Sequence, residues 1–248
     1  MHETLEEIQM TSKKPITGNL KVYFSIFSLL FIVIIDSISV HATALIIFSI
    51  LSIYAAGRNY IRLIKIPTYF LIPSIVIIAF FIPGNKIQTT LPISPTMEGV
   101  EIAIKTLLRS YASLSILSFM ILTTSIPELF AALKRLKLPD FIIEISLLIY
   151  RVIQVLMDEL DRLNRSASSR LGYSSKKAFI RTSSLLAYSL FMKSLERLEK
   201  INTAMEARCY SGRMPVRSER SKGYGICFAI ILALLTSLLF KNILIENI

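Results

Sequence analysis

Five stretches of the chain are apolar almost without interruption, and two more are apolar only at every third or fourth position. The unbroken stretches are residues 22–38, 42–56, 67–82, about 107–126 and 224–240. As helices rising 1.5 Å per residue, runs of this kind approach the roughly 30 Å hydrocarbon layer of a bilayer. Polar segments separate them: a tight turn with Asp36 and His41, residues 57–65 with Arg58, Arg62 and Lys65, and residues 83–94 with Gly84, Asn85 and Pro92. Ser94 followed by Pro95 reads as an N-cap and first helical position. The helix so opened carries Glu98, Glu101, Lys105 and Arg109 on its shoulder, with Glu101 and Lys105 at the four-residue spacing of an ion pair.

The stepped stretches lie between residues 127 and 212. Ile145, Leu148, Ile149, Val152, Ile153, Leu156, Leu160, Leu163 and Ala167 share one helical face. Arg151, Asp158, Asp161, Arg162 and Arg165 lie opposite, with Asp158/Arg162 and Asp161/Arg165 spaced to pair. Further on, Phe191, Leu195, Leu198, Ile201 and Met205 share a face from which Lys193, Glu196, Arg197 and Lys200 are absent, and Glu196/Lys200 are again spaced to pair. The pattern predicts helices over about 140–170 and 177–208, each roughly 45 Å long. The link between them is short, so they should be antiparallel or crossed neighbours. Residues 141–156 are apolar enough to span but contain Glu144 and Arg151, which are costly at bilayer depth. This segment therefore reads as dipping into or lying beneath the membrane; if it crossed, it would be a sixth span.

Each stepped run ends in an arginine phrase. Leu160-Asp161-Arg162-Leu163 leads to Ser169-Arg170-Leu171-Gly172, and Leu195-Glu196-Arg197-Leu198 leads to Ala207-Arg208-Cys209-Tyr210. Gly172 after the first arginine, and Gly212 and Pro215 after the second, are helix stop signals. A cation at a helix C-terminus also complements the dipole. Arg170 should lie near the corner shared by the two helices and Arg208 near the far end, so the pair could contact two subunits or two copies of one. Equally, both could be solvated helix-end charges.

Composition places these patterns in a membrane. A chain of 248 residues with 53% hydrophobic content, eight glycines and a mean hydropathy of +0.60 is an all-α polytopic membrane protein rather than a soluble enzyme. The net charge of +11 raises the question of nucleic acid. However, 18 of the 28 Lys and Arg fall between Ser125 and Gly223, as expected for a cytoplasmic segment, and no nucleic-acid partner is expected. Five spans with the N-terminus inside put every strongly basic segment on one side. Residues 1–126 then form a tail and four spans, 127–222 a cytoplasmic region with both arginine phrases, and 223–248 the last span and tail. Residues 1–21 read as a short cytoplasmic tail. A signal peptide ending near Val40-His41-Ala42 is the rival, opposed by the second apolar segment and by Glu3, Glu6 and Glu7.

Catalytic chemistry is sparse. The chain lacks a Gly-x-x-x-x-Gly-Lys-Ser/Thr loop, so ATP binding through its own P-loop is not expected. His2, His41, Cys209 and Cys227 have no metal-ligand spacing, and neither a metal site nor a cofactor is expected; the cysteines read as reduced thiols. Serines without a partner histidine in an inner segment argue against a hydrolase. Asp36, Lys105 and Arg109 could line the path of a stand-alone secondary transporter, although anchoring at the membrane boundary is the commoner role of such residues. A membrane-bound enzyme would need a convergent acidic, histidine or cysteine cluster that the sequence does not show.

One further set of residues is more specific. In order along the chain stand Thr123-Thr124-Ser125-Ile126-Pro127-Glu128-Leu129, Ala132-Leu133-Lys134-Arg135-Leu136-Lys137-Leu138-Pro139, Tyr150-Arg151, Asp158-Glu159-Leu160, Ser169-Arg170-Leu171-Gly172-Tyr173 and Ala204-Met205-Glu206-Ala207-Arg208-Cys209-Tyr210-Ser211-Gly212. This combination resembles the transmembrane T component of energy-coupling factor (ECF) transporters, and most of all the CbiQ type of cobalt and nickel importers. It covers about residues 99–215; the upstream spans match in hydropathy alone. The resemblance implies a non-catalytic scaffold, multi-pass in a prokaryotic cell membrane. In that family two Ala-Arg-Gly-like triplets at the ends of cytoplasmic coupling helices enter grooves on two ABC-type ATPase subunits, and the membrane face holds a small substrate-binding S component. Carried over, the triplets are Ser169-Arg170-Leu171, with Ser and Leu as departures, and Ala207-Arg208-Cys209, with Cys as the departure. The implied cargo is cobalt or nickel, or a vitamin where the T component is shared, and specificity resides in the S component.

Overall fold

The computed structural model describes residues 9, 11–82, 96–210 and 221–246, and among them all extended regular structure is helical. The helices are α1 (Asn19–Ile34), α2 (Ile38–Ala56), α3 (Arg58–Phe81), α4 (Met97–Thr123), α5 (Ile126–Arg135), α6 (Asp140–Ser169), α7 (Lys176–Ala207) and α8 (Tyr224–Glu246). They fall into two compact units, residues 1–132 with 218–248, and residues 133–217.

In the first unit α4 is central. Helices α1, α2 and α3 pack around it, and α8 lies against α2. The core gathers Phe24 and Ile32 of α1, Val40, Ala44 and Phe48 of α2, Ala112, Ile116 and Phe119 of α4, and Cys227, Ile230 and Leu234 of α8. Phe48 links two layers, with its ring centroid 5.7 Å from Phe24 and 6.1 Å from Phe119. Helices α2, α3 and α4 are long and apolar enough to cross a membrane, α1 and Tyr224–Leu239 of α8 are shorter apolar helices, and α6 is in neither group. Large apolar side chains such as Phe27, Tyr69, Phe70 and Phe81 point out of the bundle, as they do where lipid replaces water.

Several boundaries differ from those the pattern predicts. Residues 57–65, expected as a loop, are the first turns of α3, which begins one residue after Gly57 and holds Pro67 and Pro73 inside it. Proline inside a helix removes one backbone donor, a loss tolerated in apolar bundles. The new turns are tethered by the buried Tyr60, whose hydroxyl lies 2.7 Å from Ser49 Oγ and 3.0 Å from Ser115 Oγ. His41, expected in a turn with Asp36, is fully buried in α2, its Nε2 3.2 Å from the Ile32 carbonyl. Helix α4 starts at Met97, capped by the Thr96 side chain, and ends at Thr123, three residues before the predicted Ile126. Ser94 and Pro95 lie outside the described residues.

The segment before α1 is not a free tail. Ile16 is fully buried, the Lys13 amide donates to the Ala55 carbonyl at 3.0 Å, and Thr17 and Lys222 form a short antiparallel bridge. Lys21, charged and therefore expected to be solvated, is completely buried.

The second unit is a two-helix hairpin of α6 and α7, running antiparallel. Leu163 and Ala167 share a cleft with Thr182 and Leu186, while Leu148 and Val152 share one with Ile201 and Met205. An ion pair from Lys193 to Glu159 crosses the middle, and the Tyr210 hydroxyl donates to Glu144 at 2.9 Å. Of the predicted ion pairs, Glu101 with Lys105 forms at 2.8 Å, whereas Arg162 turns to Glu159 rather than Asp158. The apolar faces also divide. Ile201 and Met205 turn toward α6, but Phe191, Leu195 and Leu198 are exposed, as are Ile145, Ile149 and Ile153 of α6. Their apolar arc is wider than one partner helix can cover.

Candidate functional site

Helices α6 and α7 end in the same way. Arg170 is the C-cap of α6 with φ −96° and ψ 16°, and Arg208 is the C-cap of α7 with φ −95° and ψ 14°. The next residues, Leu171 and Cys209, are left-handed, at φ 57° and 52°. Behind them, the Gly172 amide reaches the Ala167 carbonyl at 2.9 Å and the Leu171 amide that of Ser168 at 3.1 Å. In α7 the Tyr210 amide reaches Met205 at 3.1 Å and the Cys209 amide reaches Glu206 at 3.0 Å. Both are complete Schellman motifs, in which the left-handed position usually belongs to glycine. All six residues of the two triplets, Ser169, Arg170, Leu171, Ala207, Arg208 and Cys209, are exposed.

The expected stop signal Gly172 therefore works differently. It is not the left-handed residue. A Cβ there would come within 2.9 Å of the Ala167 carbonyl oxygen and 2.9 Å of Thr182 Oγ1, so glycine is required by close packing at the corner. Thr182 Oγ1 in turn donates to the Gly172 carbonyl at 2.8 Å, and the Ser175 hydroxyl caps α7 by accepting from the Ala178 amide at 3.2 Å. Gly212 and Pro215 lie outside the described residues.

Each arginine borders a groove. Arg170 lies beside a pocket of about 310 Å³ with Gly172, Thr182 and Leu185, and Arg208 beside one of about 260 Å³ with Leu148, Val152, Arg151 and Arg197. The cluster of Arg151 and Arg197 around Arg208 is not visible from sequence spacing, since 151 and 197 meet only through the antiparallel register. With Met205 level with Leu148, some 22 residues of α6 separate the two groove ends, or about 33 Å.

A second polar assembly lies in the first unit. The Glu128 carboxylate accepts from the Ser125 amide at 3.3 Å, as in a capping box, and pairs with Lys14 at 3.2 Å and with buried Lys21. Lys21 also donates to the Thr123 carbonyl at 2.6 Å. Burial alone would raise the Glu128 pKa, but hydrogen bonds and charge from Lys21 and Lys14 outweigh it and hold the carboxyl below its ordinary value. In the hairpin, the hydrogen bond to Glu144 raises the Tyr210 phenol. Of the candidate transport residues, Arg109 donates to the Val33 carbonyl, and Lys105 pairs with Glu101 within reach of the charge of Asp36. Cys209 is exposed and Cys227 buried, both unbridged, and among the described residues no group of three His, Cys, Asp or Glu converges as a metal site would require.

Comparison with known proteins points to the same family. The profile of the CbiQ family, described as cobalt transport protein, matches residues 9–219. An uncharacterized protein of Methanocaldococcus jannaschii is 31% identical over 86% of this chain and 82% of its own length. The cobalt transport protein CbiQ of Salmonella typhimurium is 29% identical over 62% of this chain and 72% of its own. The energy-coupling factor transporter transmembrane protein EcfT of Ruminiclostridium cellulolyticum is 35% identical over 54% of each. With an all-α architecture of apolar helices and a family match across most of its length, the chain belongs to the CbiQ family, the transmembrane components of energy-coupling factor transporters.

Proposed function

We propose that this protein is the non-catalytic coupling subunit of an ATP-driven importer, joining two ABC-type ATPase subunits to a membrane-embedded S component that carries the substrate. The observation that supports this reading is the pair of exposed arginines, held in one backbone geometry at ends of a helical hairpin about 33 Å apart. Repeated geometry at that separation suits two similar partner surfaces. A guanidinium presents a rigid fork of donors that a carboxylate on each ATPase can accept bidentately, and helices of 30 and 32 residues are stiff enough to pass on ATPase closure. Movement of the hairpin would then reorient the S component and release its substrate inward. Cobalt is the cargo favoured by the names of the relatives. The protein would reside in the plasma membrane as five spans, α1 to α4 and α8, with the N-terminus and the hairpin in the cytoplasm.

The test is a pull-down of the C-terminally tagged chain from native membranes, with Arg170→Ala and Arg208→Ala in parallel and Co²⁺ uptake measured in the same cells. The expected result is recovery of ATPases with the natural chain, their partial loss with either variant, and a fall in uptake of at least tenfold while membrane insertion is unchanged. Recovery of no ATPase with the natural chain would instead favour a stand-alone transporter.

A further inference from the structure

The two grooves at the arginine triplets differ in charge. The Arg170 groove holds one arginine among Gly172, Thr182, Leu185 and Ser189. The Arg208 groove holds three, since Arg151 of α6 and Arg197 of α7 face the same space over an apolar floor of Leu148, Val152 and Ile201. Among the described residues no carboxylate lines this second groove, and the ion pairs use other cations. Arg197 also borders the adjoining groove with Glu159 and Glu196, but the space around Arg208 is lined by three arginines and is electropositive. An external anion offsets the repulsion of like charges gathered in this way.

Resting on the function proposed above, we infer that Arg151 and Arg197 are docking residues for one of the two ATPases, and that the groove around Arg208 receives a partner surface bearing at least two carboxylates. The Arg170 groove offers a single guanidinium to a partner surface of the same kind. The two ATPase positions are thus chemically distinct. The Arg208 position is held by several charge pairs and is the more sensitive to salt, because each exposed pair weakens as the Debye length shortens. Carboxylates are favoured over a lipid phosphate because the floor of the groove is apolar, which suits side chains carrying methylenes to their acids.

The test uses the full-length chain co-expressed with its ATPases, purified in detergent, and washed through increasing NaCl while the ATPase-to-chain ratio is followed. The variants are Arg151→Gln/Arg197→Gln, the charge-retaining Arg151→Lys/Arg197→Lys, and the single triplet variants Arg170→Ala and Arg208→Ala. All side chains changed are exposed or groove-lining, and Gln and Lys are good helix formers. In the Gln pair, retention of one ATPase of the two should fall on the order of tenfold at moderate salt, the other being unaffected, with the Lys pair recovering most of the loss. If the Gln pair binds like the natural chain while Arg208→Ala loses an ATPase, the triplet docks alone and this inference is overturned. If neither Arg170→Ala nor Arg208→Ala changes the ratio, the coupling reading itself fails and takes the inference with it. Vesicles of phosphatidylcholine with and without phosphatidylglycerol supply the lipid arm: a Gln pair that loses anionic-vesicle binding but keeps both ATPases would overturn the protein partner.

Discussion

Leu171 holds a backbone conformation that side chains with a Cβ adopt at a cost of about 1 kcal/mol, and Cys209 does the same. Leu171 is 75% exposed, so little burial offsets that cost. Leu171→Gly and Cys209→Gly should therefore leave both helix ends in place and hold or slightly raise the thermal midpoint in detergent, glycine's larger unfolded-state entropy cancelling part of the gain. Leu171→Val, which adds a branch at the Cβ, should lower it; equal midpoints for Gly and Val would show that the corner is not strained. Sequence alone puts the stop at Gly172, because the letter Leu carries no sign of a positive φ. The buried Lys21 is equally illegible, since a lysine near the start of an apolar helix reads as an interfacial anchor. Glu128→Gln would leave that ammonium buried without its partner carboxylate, at about 3–5 kcal/mol, whereas Lys21→Met should cost less because Glu128 keeps Lys14. The pH dependence has a definite sign. The folded-state Glu128 pKa lies below its unfolded value, so its contribution is complete above about pH 5 and declines as pH falls through the folded value, below the ordinary 4.5. Thermal unfolding of detergent-solubilised protein across pH 3–6 should show this decline in the natural chain and a smaller one in Glu128→Gln.

Among the elements, α6 and α7 begin and end within a residue of the predicted limits, because their signals are local: a stepped apolar pattern and arginines at the exits, to which the structure adds the Ser175 cap of α7. The start of α3 is not recoverable in this way. Arg58, Arg62, Lys65 and Pro67 read together as a loop and a breaker, while the feature that makes the segment helical, Tyr60 meeting Ser49 and Ser115, comes from two other helices. Tyr60→Phe should destabilise the first unit by about 1 kcal/mol by removing the hydroxyl that both serines meet, although Ser49 and Ser115 stay 3.3 Å from each other and Ser115 still donates to the Tyr111 carbonyl, measurable as a lower thermal midpoint. No change would mean that the three hydroxyls are not coupled. The face of α7 is half legible for a related reason, since periodicity finds the apolar arc but not which part of it a partner helix covers.

At the scale of the molecule, the spacing between Arg170 and Arg208 is set by the register of one hairpin. Inserting seven residues into α6 and seven opposite them in α7, near Glu159 and Lys193, would lengthen that spacing by about 10 Å while keeping each apolar pattern nearly in phase. On the proposed function, such a chain should still reach the membrane but recover fewer than two ATPases in pull-downs; full recovery would show that the distance is immaterial. The grouping of three arginines at one end depends on the same register, which is why no short motif announces it.

The bridge between Thr17 and Lys222 also bears on synthesis. The core of the first unit combines Phe24 and Ile32, made early, with Ile230 and Leu234, made roughly 200 residues later. At ribosomal rates of about 5–20 residues per second, the bundle waits some 10–40 s for its closing helix. By the end of that interval the hairpin is complete in sequence, whereas the half-built bundle still exposes the groove that α8 will fill. A translational pause, or a truncation before Tyr224, would therefore leave the membrane unit as the chaperone- and protease-sensitive half of the nascent protein.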